Sequence, residues 1–159
     1  MPNLAPATDD IASLLGNHSF FKHLAPDQLA QLAACAVMTS VPQGRLICSE
    51  GEPAEHFYVI VSGGVALEIS APGREPLTVQ TLAPGDELGL SWFYPPYRWH
   101  FDARALTATR LIDFNTTLLQ ARLDTDHTLG YEFVKRLAWL TFERLQATRL
   151  QLTGIYGGR

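Results

Sequence analysis

Between Val41 and about Phe114 the chain is a succession of short apolar runs separated by turns that contain glycine or proline. The runs are RLICSE, HFYVIV, GVALEIS, PLTVQTL and ARALTATRLIDF, and the turns include Gly51-Glu52-Pro53, Gly63-Gly64, Pro72-Gly73 and Pro84-Gly85-Asp86. Short runs with frequent turns are typical of β-strands whose sheets pack on each other. They predict an α+β fold that is mainly β, a small jelly roll or double-stranded β-helix.

Two short helices are predicted ahead of these strands. Residues 11–15 have helical periodicity, and the run PDQLAQLAACAV at residues 26–37 has it more clearly. Pro26 suits the first turn of that second helix, and Cys35 falls within it. Cys48 falls in a predicted strand, so both cysteines of the chain are interpreted as buried free thiols.

Two further helices are predicted after the strands. Asn115 is expected to cap a helix that ends near Leu123, and Asp124 or Thr125 to open a longer one. The longer helix is expected to end near Leu152, with Gly154 as its stop. The length of 159 residues fits one domain, 1–159, with a β-roll at about 41–114 and C-terminal helices at about 115–152.

The long helix carries two apolar stripes. Phe133, Leu137 and Leu140 form one that suits packing on a sheet. The second has alternating spacings of four and three residues, as in a coiled-coil seam, and consists of Val134, Ala138, Thr141, Leu145, Thr148 and Leu152. It predicts a homodimer through this helix, although the stripe could instead touch the domain's own N-terminal helices.

Charge and hydropathy argue against nucleic-acid binding, secretion and insertion into a membrane. The net charge of −4 with twelve Lys and Arg residues argues against a general nucleic-acid coat. Asp9 and Asp10 stand where a secretory signal needs positive charge, and no apolar run reaches membrane-spanning length. A cytoplasmic protein with no membrane partner is therefore expected.

Three ordered motifs resemble the cyclic-nucleotide-binding domain of the catabolite activator (Crp/Fnr) superfamily. They are LICSEGEPAEHFYVIVSGGVALEIS, LAPGDELG and, in the long helix, ERLQATRLQL, and the match runs from about Phe20 to Leu152. The resemblance implies a sensory β-roll with a phosphate-binding cassette after Gly89. In that cassette, helix N–H groups and an arginine bind the cyclic phosphate, and a Gly-Glu pair binds the ribose hydroxyl.

Both charged anchors of that cassette are absent from this chain. Counted from Gly89 without a gap, the glutamate position holds Leu90 and the arginine position holds Trp99. Each lost charge-assisted hydrogen bond is worth about 1.5–3 kcal/mol. Two rescues are conceivable, by Arg98 through a bulge or by Glu87, but Glu87 is assigned to the preceding strand and solvated surface charge is the default for both.

Aromatic residues fill the segment that cradles the ligand in the relatives. Trp92, Phe93, Tyr94, Tyr97, Trp99 and Phe101 surround Pro95-Pro96, so the rings either fill the cavity or reshape it for a flatter, more apolar ligand. The pocket candidates are Gly89, Leu90, Ser91, Trp92, Arg98, Trp99, His100 and Thr148, the last of which matches the family threonine that reaches the purine.

No enzyme, metal site or cofactor is predicted. The five histidines, His18, His23, His56, His100 and His127, lack a cupin-like metal spacing and are expected to be surface or capping residues. Ser91 lacks the glycines of a nucleophile elbow. Only seven residues follow Leu152, too few for a helix-turn-helix, so direct DNA binding is not expected. Arg136, Arg144 and Arg149 are interpreted as a solvated helix face.

Three functions remain open from the sequence. The first is a non-enzymatic sensory module with a degenerate cassette, which binds a ligand other than cAMP and signals through its C-terminal helix. The second is a ligand-free protein-interaction module whose pocket is plugged by its own aromatics. The third is a cyclic-nucleotide binder with a rearranged cassette. Solvent access to Trp92 and Trp99 separates the first two, because buried indoles favour the plugged module.

Overall fold

The computed structural model describes residues 8–156, which form two antiparallel sheets between helices. The helices are α1 (Thr8–Gly16), α2 (Pro26–Ala33), α3 (Thr116–Thr125) and α4 (His127–Tyr156). The strands are β1 (Ala36–Val41), β2 (Leu46–Cys48), β3 (His56–Ser62), β4 (Val65–Ile69), β5 (Leu77–Leu82), β6 (Glu87–Leu88), β7 (Asp102–Ala105) and β8 (Thr109–Asn115). The domain bounds predicted at 1 and 159 lie outside the described residues.

The strands form a β-roll of two four-stranded sheets, as predicted. One sheet has the order β1-β8-β3-β6 and the other the order β2-β7-β4-β5. Phe57 pairs with Phe114 in the first sheet, and Leu67 pairs with Ala103 in the second. The alternation of the runs therefore places their apolar side chains in the space between the sheets.

The core continues from the sheets into the helices. Phe21, Phe57, Phe114 and Phe133 are fully buried. The ring centroids of Phe57 and Phe133 are 5.8 Å apart, and those of Phe21 and Phe114 are 6.0 Å apart. The predicted packing stripe of α4 is confirmed, since Phe133, Leu137 and Leu140 are all buried. The long helix is thus anchored along its first half.

The tight turns follow the glycine pattern of the sequence. Gly51 and Gly63 have φ angles of 84° and 91°. A Cβ atom on Gly63 would lie 2.5 Å from the Thr109 hydroxyl and 2.7 Å from the Ala108 carbonyl oxygen. Only glycine suits that position, because both the backbone angle and the space exclude a side chain.

The prediction for residues 34–37 was wrong. Helix α2 ends at Ala33, Cys35 lies in a turn, and β1 starts at Ala36, ahead of Val41. Ala36 pairs with Phe114 of β8, and this ladder outweighs the helical periodicity of the segment. Cys35 and Cys48 are free and buried, as expected, and burial raises the pKa of both thiols.

Two helix ends also differ from the sequence expectation. Asn115 caps α3 as predicted, accepting a hydrogen bond from the Leu118 amide at 3.1 Å. The cap of α4 is Asp126, one residue beyond the predicted pair, and its carboxylate accepts from the Leu129 amide at 3.0 Å. Gly154 does not stop α4, which continues to Tyr156.

Candidate functional site

The segment between β6 and β7, residues 89–101, begins at a glycine that another side chain covers. Gly89 has a φ angle of 110°. A Cβ atom there would lie 2.7 Å from Cη2 of Trp99 and 3.2 Å from the carbonyl oxygen of His56. The missing side chain of Gly89 is therefore what allows the Trp99 indole to pack at the start of the cassette.

Backbone hydrogen bonds fix the position of Trp99. Its amide donates to the Glu52 carbonyl at 3.0 Å, and its carbonyl accepts from the Gly51 amide at 2.8 Å. The Ala54 amide donates to the Tyr97 carbonyl at 2.8 Å. The end of the cassette is thus tied to the Gly51–Ala54 turn, and Trp99 is held by two main-chain bonds.

The Trp99 side chain fills the interior of the roll at this point. It is 3% exposed. Its ring is stacked on Tyr58 at a centroid distance of 6.4 Å, and Phe101 lies 6.0 Å away. Burial raises the pKa of the Tyr58 phenol, so this ring stays neutral. An aromatic cluster therefore stands where the resemblance places a phosphate-binding arginine.

Trp92 links the cassette to the long helix. It is 5% exposed, and its indole N–H donates to the Gly89 carbonyl at 2.9 Å. Its ring lies 6.0 Å from Phe57 and 6.2 Å from Phe133. The indole therefore contacts a strand of the first sheet and α4 at the same time.

Both indoles are buried, which is the outcome that favours a filled cavity. The rest of the aromatic loop is less enclosed: Phe93 is half-buried, and Tyr94 and Tyr97 are exposed on either side of Pro95-Pro96. Two aromatic groups of the loop thus enter the core and two stand at the surface. Leu90 and Ser91 are half-buried next to the loop.

The remaining pocket candidates point away from the Trp99 cluster or are used locally. The exposed Arg98 donates through Nη1 to the Gly51 carbonyl at 2.7 Å. His100 is exposed. Thr148 is exposed on α4 and donates to the Arg144 carbonyl of its own helix at 2.9 Å. The structure brings together Gly89, Trp92 and Trp99, whereas Arg98 is hydrogen-bonded to the turn at Gly51.

A buried polar junction beside the cassette was missed by the sequence reasoning. Glu87 of β6 is 6% exposed, and burial raises its pKa to about 7 against the opposing charge of Arg144. Arg144 of α4 donates to the Glu87 carbonyl oxygen. Nδ1 of His18 lies 3.9 Å from the Glu87 carboxylate, and burial lowers the pKa of this histidine. The junction therefore joins the N-terminal segment, β6 and α4.

Three expectations are corrected by this junction. Glu87 and Arg144 were assigned to solvated surface charge, and His18 to a surface or capping role. Instead Glu87 is buried, Arg144 is half-buried and bonded to the Glu87 carbonyl, and His18 is largely enclosed. The assignment of Glu87 to the strand before the cassette is confirmed. One sequence signal was available, since Arg144 follows Leu140 by four residues and so continues the buried stripe of α4.

Comparison with known proteins identifies a family. Residues 38–126 match the family model of the cyclic nucleotide-binding domain. A CRP-like cAMP-activated global transcriptional regulator of Mycobacterium tuberculosis (strain H37Rv) is 25% identical over 143 residues, which are 89% of this chain and 62% of that protein. The chain thus spans about 62% of the length of the curated relatives it matches.

Solved structures have the same fold. A cyclic nucleotide-binding domain from Methylobacillus flagellatus KT has a TM-score of 0.79 at 16% identity, covering 96% of this chain and 85% of that one. The regulatory subunit of a cAMP-independent protein kinase A from Trypanosoma cruzi, bound to guanosine, has a TM-score of 0.62 at 26% identity. That match covers 68% of this chain and 39% of the kinase subunit.

A β-roll followed by a long C-terminal helix is the architecture of cyclic nucleotide-binding domains, which occur in regulatory proteins such as the transcriptional regulator of M. tuberculosis. Because the family model covers more than half of its residues, this chain belongs to the cyclic nucleotide-binding domain family, of the Crp/Fnr type. Among residues 8–156, no helix has the length and apolar character that a membrane crossing requires. The described part of the chain also contains no group of three or more His, Cys, Asp or Glu side chains arranged to hold a metal ion.

Proposed function

We propose that this chain is a non-enzymatic regulatory module whose nucleotide cavity is filled by its own side chains, and that it acts through protein contacts of α4. The observation that carries the proposal is the burial of the Trp99 indole against Gly89, Tyr58 and Phe101. This is the ligand-free alternative of the sequence analysis, and the two buried indoles are the reason to prefer it.

Cyclic nucleotide would meet two obstacles at this cassette. The first obstacle is chemical, because an indole offers one neutral N–H donor, whereas a guanidinium offers two charged N–H donors in a geometry that matches a phosphate. The second is steric, because a ligand that entered would have to displace a ring that is 3% exposed. Ordinary cAMP affinity is therefore expected to be lost.

The long helix is well placed to transmit a change at the cassette. Phe133 of α4 contacts Trp92, and Arg144 of α4 binds the carbonyl of Glu87 just before Gly89. The two contacts lie eleven residues apart on the helix, about three turns. Displacement of the cassette would therefore alter α4 at two points, which supports the helix as the output of the module.

A second candidate is a sensor for a ligand other than a cyclic nucleotide. The structure of the cAMP-independent relative from Trypanosoma cruzi is bound to guanosine, a nucleoside without a phosphate. Such a ligand has no need of an arginine at position 99. It would still require Trp99 to leave its position, so binding would appear together with a change in the fluorescence of this tryptophan.

Calorimetric titration with cAMP, cGMP and guanosine tests the proposal. None of the three is expected to bind the wild-type chain. Binding of cAMP or cGMP would mean that the cassette is rebuilt around other groups, such as Arg98, and would overturn the filled-cavity proposal. Binding of guanosine alone would establish the second candidate in its place.

The double substitution Trp99→Arg with Leu90→Glu is expected to create cAMP binding. It restores both charged anchors, each worth about 1.5–3 kcal/mol. We therefore expect affinity at least about 100-fold above that of the wild type, measured by calorimetry. Trp99→Arg with Leu90→Gln is the matched control and should bind more weakly, since it lacks the carboxylate for the ribose. A folded Trp99→Arg, Leu90→Glu variant that does not bind cAMP would contradict the gapless alignment.

The seam of α4 is proposed as the homodimer interface. Its six predicted residues, Val134, Ala138, Thr141, Leu145, Thr148 and Leu152, are all exposed in the single chain. They therefore do not pack on the N-terminal helices, which was the competing explanation of the stripe. The exposure supports a partner on this face without identifying it.

Leu145→Glu is expected to weaken the dimer about tenfold or more. The substitution places two carboxylates at facing positions of a parallel helix pair, where like charges repel. Sedimentation velocity over a concentration series measures the change. Leu77→Glu, at an exposed leucine of β5, is the control and should leave the dimer unchanged. Equal dissociation of both variants, or of neither, would count against the seam.

A further inference from the structure

The long helix has a second exposed apolar face, which the predicted seam does not include. Trp139 is 61% exposed and Phe142 is 51% exposed. Their rings are stacked at a centroid distance of 5.7 Å with an interplanar angle of 28°. Lys135 and Glu143 are exposed on the same side, because residues four apart are neighbours on a helix surface. These four residues are called the Trp139 face.

An open groove of about 760 Å³ lies next to this face. Its walls are formed by α4 on one side, including Arg136 and Trp139, and by Ser19 and His23 of the N-terminal segment on the other. The groove is large enough to accept an aromatic side chain from a partner. Large exposed aromatics beside such a groove mark an interaction surface.

The charges on the Trp139 face are arranged symmetrically with opposite signs. Lys135 precedes Trp139 by four residues and Glu143 follows it by four, so each lies about 6 Å from Trp139 along the helix axis. A parallel copy would place lysine on lysine. An antiparallel copy, related by a two-fold axis at Trp139, places Lys135 opposite the partner's Glu143. The same symmetry places Glu143 opposite the partner's Lys135. The face is therefore complementary to itself in one orientation only.

Neighbouring charges are compatible with that orientation. Arg136 lies 3.9 Å from Glu132 within the helix and its side chain is only 14% exposed, so it stays within its own chain. The antiparallel arrangement places the partner's Phe142 opposite it, so no like charge faces Arg136 across the two-fold axis. His23 faces the groove from the N-terminal segment. Lys135 lies 5.9 Å from the Tyr131 ring and has no acidic partner within 4 Å among the described residues.

We propose that a second copy of this chain docks on the Trp139 face, with the two α4 helices antiparallel about a two-fold axis at Trp139. An isologous contact of this kind buries the same surface on both copies. It uses other residues of α4 than the seam, although Ala138 of the seam also borders the groove, and it is antiparallel whereas the seam favours a parallel pair. It is also independent of the nucleotide cavity, so it stands whether or not the proposed function does.

Charge reversal tests the orientation directly. Lys135→Glu and Glu143→Lys are each expected to weaken this association about tenfold at low ionic strength, because each creates two like-charge contacts. An equimolar mixture of the two variants should associate as the wild type does, since both ion pairs form again in the mixed dimer. A chain that carries both Lys135→Glu and Glu143→Lys should also associate as the wild type does, because its two ion pairs form with the charges exchanged. The association is measured by sedimentation velocity in the Leu145→Glu background, in which the seam is already weakened about tenfold or more.

Trp139→Ala in the same background is expected to weaken the association about 100-fold, as for an aromatic anchor. All of these positions are exposed, so circular dichroism should confirm an unchanged fold. The proposal is overturned if the Leu145→Glu chain remains monomeric at every concentration. It is equally overturned if single reversals leave the association unchanged, or if the mixture of the two fails to restore it.

Discussion

Trp99→Ala is expected to lower the free energy of unfolding by about 3–5 kcal/mol, as for a large buried aromatic residue truncated to alanine. For a chain of this length, the melting temperature should fall by about 6–20 °C. The physical reason is the loss of the contacts with Tyr58, Phe101 and Gly89, together with the cavity that remains between them. Thermal unfolding followed by circular dichroism measures the change.

A matched control comes from the same loop. Tyr94 is exposed, so Tyr94→Ala should change the stability by no more than about 0.5 kcal/mol. Added indole should raise the melting temperature of the Trp99→Ala variant and leave the wild type unchanged, because apolar cavities of this kind accept apolar ligands. A variant as stable as the wild type would show that Trp99 does not fill the roll, and the filled-cavity proposal would fail with it.

The β-roll was predictable from the sequence because its local signals agree with the fold. Gly51 and Gly63 mark turns whose backbone angles require glycine, and the apolar runs between them became strands. Asn115 marks the start of α3. Each of these signals acts over a few residues, so no knowledge of the packing was needed to interpret it.

The errors occurred where a distant partner decides the local structure. Residues 34–37 have helical periodicity, yet Ala36 and Val37 form a strand because β8 pairs with them. Asp124, Thr125 and Asp126 are all suitable helix caps, and the choice of Asp126 depends on how α4 leaves α3. These outcomes follow from tertiary contacts, which residue spacing does not contain.

The candidate site was half-predictable for the same reason. The gapless count from Gly89 assigns the two expected anchor positions to Leu90 and Trp99, and the density of rings predicts an altered cavity. Whether Trp99 lines the cavity or fills it depends on the close approach between its ring and Gly89, which only the structure shows. The role of Arg144 depends likewise on the position of β6 beside α4.

The junction at Glu87 connects the cassette to α4 through a group that resists ionisation. The buried carboxyl has its pKa raised to about 7 by desolvation, while the nearby Arg144 charge acts in the opposite direction. Since the ordinary value is 4.5, the folded chain holds this proton more tightly than the unfolded chain does. The resulting stability is fully present below about pH 4.5 and is lost as the pH rises through about 7.

Glu87→Gln is therefore expected to stabilise the chain at pH 8 by on the order of 3 kcal/mol, and to change it little at pH 4.5. Glutamine resembles the protonated acid, and Arg144 keeps its bond because it donates to the main-chain oxygen of residue 87. Urea unfolding at a series of pH values measures the difference between variant and wild type. His18 opposes the trend, since burial lowers its pKa and its contribution is lost as the pH falls.

Because the Gln variant retains His18 and every other titratable group, subtraction from the wild type isolates the contribution of Glu87, including its contact with His18. Glu75→Gln, in the exposed loop between β4 and β5, is the matched control and should change the stability at pH 8 by no more than about 0.5 kcal/mol. A Glu87→Gln chain that is less stable than the wild type at pH 8 would contradict the expectation. It would mean that the attraction of Arg144 exceeds the cost of burying the carboxylate, and that the junction is held by an ion pair rather than by the hydrogen bond to the main chain.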